Sequence, residues 1–180
     1  MAWEYLQDDK FDERFKPIVK FLQGKTKGKI VVDLNCGTAR LCRMLEPNWL
    51  LYAGNDKSAE FILRARAHNV PNTSFHVLSD KHYDECCDIL VSVGCGGYDI
   101  SKEPLESDTQ KDTIKRLVNT HTPEIVILEM IKAFGKDMIE YVEFLESKGY
   151  VGYIKEVKVD STNEYVSNRL VGIFTYLKIG

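Results

Sequence analysis

Apolar residues in this chain fall into short continuous runs separated by amphipathic stretches. Ile30, Val31, Val32 and Leu34 form the first run. Its β-branched content predicts a strand covered on both faces, as in a parallel sheet. Small or turn-tolerant residues follow at 35–39, and Ala39, Leu41, Cys42 and Leu45 then recur at helical spacing. Residues 29–45 therefore predict strand, tight turn and helix. Such a unit gathers backbone N–H groups at a helix N-terminus, where a ligand can approach the main chain closely.

The pattern then repeats along the chain. Residues 49–56 predict a second strand ending on Asp56, with Ser58 as the N-cap of the next helix. Residues 74–80 predict a third strand, again ending on an acid, Asp80, and 87–94 a fourth. A glycine-rich loop, 95–107, leaves strand four. Ser107 and Gln110 predict a capping box, and Ile114, Leu117 and Val118 the apolar face of the helix behind it. Strand five is predicted at 123–130. Met138, Ile139, Val142 and Leu145 mark another helix, stopped by Gly149. The last two runs, 150–160 and 168–179, have no helix between them, which predicts an antiparallel pair. Ahead of strand one, Pro17 opens a short helix through Ile18, Val19 and Leu22 that Gly24 stops. Trp3, Tyr5, Phe11 and Phe15 lie in this N-terminal segment, 1–24, as core packing or as a lid over a ligand mouth.

Composition narrows the class. The 180 residues fit one domain, with 44% hydrophobic and 28% charged residues. A net charge of −3 gives no basic field for a polyanion, so a nucleic-acid partner is not favoured. No apolar run reaches membrane-spanning length. The polar N-terminus, MAWEYLQDDK, is unlike a secretory signal, and five cysteines without a Cys-x-x-Cys pair suggest a reducing compartment. Both point to a cytoplasmic protein. Cys36 and Cys95 end two strands, but nothing else is spaced like a zinc site, and no metal is expected.

The turn after strand one resembles motif I of the class I S-adenosylmethionine (SAM) methyltransferases, an acid at the strand end followed by Gly-x-Gly-x-Gly. Here the residues are Asp33, Leu34, Asn35, Cys36, Gly37, Thr38 and Ala39, so Asn35 and Ala39 replace the outer glycines. Asp56 and Asp80 match the family's acids at the ends of strands two and three. The resemblance implies a three-layer Rossmann-like α/β fold, with a mostly parallel seven-stranded sheet and an antiparallel C-terminal strand. It implies SAM as cofactor, held by Asp33, Asn35, Cys36, Gly37 and Thr38 in the turn, by Asp56 and Lys57 at the ribose, by Ser79 and Asp80 at the adenine, and by Gly94 after strand four. The expected activity is methyl transfer to a small molecule, since no substrate domain is inserted. The Asn/Asp-Pro-Pro-aromatic motif of the base- and amide-directed members is also missing, with Val93, Gly94, Cys95 and Gly96 in its place. Tyr98 and Glu129 are catalytic candidates by position alone, the structural role ranking first for both: Tyr98 as a loop anchor and Glu129 as half of an ion pair with a nearby lysine. A SAM-binding or scaffold protein without turnover is the alternative. A nicotinamide-dependent oxidoreductase is disfavoured, because Arg40 stands where that turn needs a small residue.

Overall fold

The computed structural model of the chain describes residues 9–78, 84, 86–95, 105–160 and 167–178, the side chains of 9–11 and 105–109 excepted. Seven strands form one sheet: β1 (Ile30–Leu34), β2 (Leu51–Asp56), β3 (Thr73–Val77), β4 (Ile89–Val93), β5 (Ile125–Ile131), β6 (Tyr150–Lys158) and β7 (Asn168–Tyr176). Their order is β3-β2-β1-β4-β5-β7-β6. The first five run parallel, and β7 inserts antiparallel to both β5 and β6. This is the mostly parallel sheet with an antiparallel C-terminal strand that the resemblance implied.

Among the described residues, five helices cover the two faces: α1 (Lys16–Leu22), α2 (Arg40–Met44), α3 (Ala59–Ala67), α4 (Leu105–His121) and α5 (Gly135–Ser147). A 3₁₀ segment, Asp9–Arg14, precedes α1. One core joins α1, α2 and α3 to the sheet through Ile18, Leu41, Cys42 and Ile62 against Val31, Tyr52 and Phe75. The other joins α4 and α5 through Ile114, Leu117, Met138 and Leu145 against Val32, Leu90 and Leu128. Alternate residues of one strand serve opposite cores, which is why the central strands read as unbroken apolar runs.

Local signals mostly act as their chemistry dictates. Ser58 caps α3, its hydroxyl accepting from the Phe61 N–H at 3.3 Å. Gly24 and Gly149 adopt left-handed backbone (φ 74° and 87°) just past α1 and α5. The capping box is a correction. Helix α4 already runs at Leu105, so Ser107 lies within it, and the Gln110 amide donates to the Ser92 hydroxyl at 3.0 Å. Burial explains the change: Gln110 faces the sheet, where β4 offers an acceptor. Among the described residues, no helix is long and apolar enough to cross a membrane.

Candidate functional site

Between β1 and β4 the chain reverses its direction of growth across the sheet, and in open α/β sheets that switch point is where ligands sit, at the carboxyl ends of the strands. The turn from β1 to α2 forms its floor. Asn35, Gly37 and Ala39 all lie in the left-handed region, at φ 58°, 55° and 58°. These are the three glycine positions of the motif, and the geometry supplies the reason for glycine there. Asn tolerates this backbone, but alanine does not, at roughly 1–2 kcal/mol. Ala39→Gly is therefore expected to raise stability by about 1 kcal/mol, or roughly 2–4 °C in Tm, which a thermal melt reads directly.

The acids around the turn differ in state. Asp33 is buried, and one of its oxygens accepts from the Tyr52 hydroxyl at 2.6 Å. Its other oxygen has no hydrogen-bond partner among the described residues. Burial pushes the Asp33 carboxyl up to about 7, helped by the charge of Asp56 and opposed by the Tyr52 hydroxyl and by Arg14. Asp56, at the tip of β2, accepts from the Gly37 N–H at 3.0 Å and from the Ser58 N–H at 2.8 Å. It pins the turn to the neighbouring strand. Burial raises its pKa against the pull of those two N–H groups and of Lys57. An ionised carboxylate has about four acceptor positions, so two backbone bonds leave room for a diol.

Thr38 and Cys36 are buried in the turn, and the exposed Lys57 follows Asp56. Gly94, at φ 83°, donates its N–H to both the main-chain and the side-chain oxygens of Glu129. Ser79, Asp80 and Tyr98 lie outside the described residues. Cys36 and Cys95 do end neighbouring strands, but they belong to cores on opposite faces of the sheet.

Glu129 is corrected. It is 0% exposed and pairs with Arg169, itself 1% exposed, not with a lysine. Arg169 Nε and Nη2 donate to the two carboxylate oxygens, the latter at 3.0 Å. Burial alone would raise the Glu129 carboxyl, yet Arg169, Arg14 and the Gly94 N–H hold it below its ordinary value. A sealed carboxylate with its proton held off and its lone pairs in use is a structural anchor rather than a proton acceptor for an acceptor substrate.

Three residues were not found from sequence: Arg14, which lines the crevice beside the expected Phe15, Tyr52 in the interior of β2, and Arg169 on β7. Only Arg169 left a trace, as a charge opening an otherwise apolar final strand.

No protein-family model matches the chain, and no curated protein matches it. Solved structures do. N-methyltransferase NodS from Bradyrhizobium japonicum WM9 superposes with TM-score 0.72 at 14% identity, covering 96% of this chain and 99% of that one. Magnesium protoporphyrin IX methyltransferase (ChlM) from Synechocystis PCC 6803, with bound SAM, gives 0.69 at 15%, covering 93% and 80%. An rRNA methylase from Streptococcus thermophilus gives 0.68 at 12%, covering 90% and 95%. Identity this low carries the architecture alone. With the strand order, the left-handed turn and the two acids at its rim, it leads to one conclusion: the chain has the class I SAM-dependent methyltransferase fold.

Proposed function

We propose that the protein is a SAM-dependent methyltransferase acting on a small molecule. The observation that carries this reading is the convergence of Asp33 and Asp56 on one strained turn at the switch point. Asp33 offers a buried carboxylate oxygen with no partner among the described residues, fit for a cationic or donor group. Asp56 retains acceptor positions beside the turn, fit for ribose hydroxyls. Bound SAM would supply a methyl group already activated on a sulfonium. The chain's residues then hold and orient, and they exclude water. Asn35, Cys36, Gly37, Thr38 and Gly94 would line the cofactor, with Lys57, Ser79 and Asp80 toward the nucleoside. With Glu129 committed to Arg169, Tyr98 remains the catalytic candidate by position.

The small-molecule acceptor is supported by the lack of an inserted domain. The expectation that nucleic acid is not favoured draws no support from the neighbours, one of which is an rRNA methylase. Four cysteines buried as free thiols accord with a cytoplasmic setting.

Isothermal titration with SAM and with S-adenosylhomocysteine tests the reading. Asp56→Ala is expected to weaken binding by about 1.5–3 kcal/mol, roughly 10- to 150-fold. Unchanged affinity would remove the ribose role. A scaffold without turnover is the second reading, favoured by the small cavity, about 30 Å³, that Arg14 and Phe15 leave beside Asp33 and Gly37. No thermal shift at millimolar SAM would select it, because a ligand of the native state must stabilise that state.

A further inference from the structure

β6 stands at the end of the strand order and, among the described residues, pairs with β7 alone. Tyr150 is buried and Val157 half-buried, while the rest of the strand is exposed. Val151 and Tyr153 on one face are 49% and 51% exposed, and Ile154 on the other is 43% exposed. Bare edges are usually blunted by a proline or a bulge. β6 has no proline, and its register with β7 runs unbroken from Tyr150 to Lys158.

The ladder fixes which backbone groups meet the open edge. The Leu177 N–H donates to the Gly149 carbonyl at 3.0 Å, and the Val159 N–H to the Ser167 carbonyl at 2.8 Å. Bonded positions alternate in an antiparallel pair, so the odd residues of β6 turn their N–H and C=O toward β7. The even residues, Tyr150, Gly152, Ile154, Glu156 and Lys158, turn theirs outward.

We propose that β6 is a dimerisation edge, joining antiparallel to β6 of a second copy of this chain about a two-fold axis at Ile154. An axis normal to the sheet keeps each side chain on its own face, so only residues of the same parity can meet. Ile154 is the middle residue of β6, and centring there pairs the whole strand. Tyr150 meets Lys158, Val151 meets Val157, Gly152 meets Glu156, Tyr153 meets Lys155, and Ile154 meets its own counterpart. The even pairs exchange backbone hydrogen bonds. The odd pairs bring side chains closer, valine on valine and the Lys155 stem along the Tyr153 ring. No like charges stand opposite. An axis at Lys155 faces lysine with lysine, and one at Glu156 faces glutamate with glutamate. An axis at Tyr153 leaves Val157 and Lys158 beyond the partner strand. Charge on one side and strand length on the other therefore select Ile154. The inference is independent of the cofactor reading.

Sedimentation velocity of the full chain over a dilution series tests it. One added strand makes a small interface, below roughly 1,200 Å² in all, so the parent is expected to show a reversible monomer–dimer equilibrium. Ile154→Lys and Ile154→Glu each set like charges across the axis and are expected to weaken the dimer about tenfold. Position 154 is solvent-facing, so melts of both variants should match the parent. Mixed in equal parts, the two variants are expected to associate again, lysine opposite glutamate. A parent that stays monomeric at every concentration overturns the dimer and leaves the edge to a different protein. Undiminished association of either variant alone overturns the β6 edge. Failure of the mixture to associate overturns the axis at Ile154.

Discussion

Arg169→Met is expected to cost about 3–5 kcal/mol of folding stability, the scale measured when one partner of a buried ion pair is removed. The variant leaves Glu129 fully enclosed and without its two-pronged partner, while the Gly94 N–H still donates to its side chain and the charge of Arg14 still acts on it. For a chain of this length that is a fall in Tm of roughly 6–20 °C. The penalty comes from the stranded charge and not from the lost contact, so a second substitution should relieve it. Glu129→Gln/Arg169→Met is expected to recover most of the loss, because an apolar or neutral replacement of a whole buried pair is often near neutral. Melts of the single and double variants check this. A single variant as stable as the parent would mean that Glu129 is protonated in the fold, against the lowered pKa that Arg169 and Arg14 impose.

Asp33→Asn should stabilise the protein above neutral pH by up to about 4 kcal/mol, with a gain that fades as the pH falls. The sign follows from the proton count. The Asp33 carboxyl stands near 7 in the fold, against about 3.9 in an unfolded chain. Below pH 4 both states hold the proton and no penalty exists. Between about 4 and 7 the unfolded chain ionises and the fold does not, so rising pH favours unfolding. Above 7 the charged form is buried at full cost. Asparagine keeps an oxygen to accept from the Tyr52 hydroxyl and carries no charge to bury. Urea midpoints of parent and variant at pH 4.5 and 8 separate the effect, since acids other than the neighbouring Asp56 titrate alike in both. A gain independent of pH would exclude ionisation of Asp33 as the cause. On the proposed function the same substitution weakens SAM binding, so a charged group that destabilises the fold is retained for its ligand.

Element order, the parallel sheet and the left-handed turn were legible because their signals are local. Unbroken apolar runs such as Ile30 to Leu34 mark strands enclosed on both sides. Helical spacing marks one buried stripe, and Ser58, Gly24 and Gly149 mark ends. That Asp33 and Asp56 lie at one edge was legible as well, since Asp56 ends β2, Asp33 stands one residue before the end of β1, and strand ends meet at one edge of a parallel sheet. The capping box misled because Ser107 and Gln110 have the right spacing, while the burial of Gln110 against Ser92 depends on α4 packing over β4.

Through local periodicity, the sequence by itself determined the α/β layering, the strand count, the antiparallel close and the chemistry of the turn. The tertiary structure alone decided which charges meet. Glu129 and Arg169 are 40 residues apart and become partners only through the register of β5 against β7, which sets Glu129 opposite Val171 and Ile131 opposite Arg169. Arg14 reaches Asp33 and Glu129 only because α1 docks on the same sheet face. A chain's pattern records how deeply each position is buried. It does not record which distant group lies beside it, because that depends on strand register and helix docking across the whole sheet.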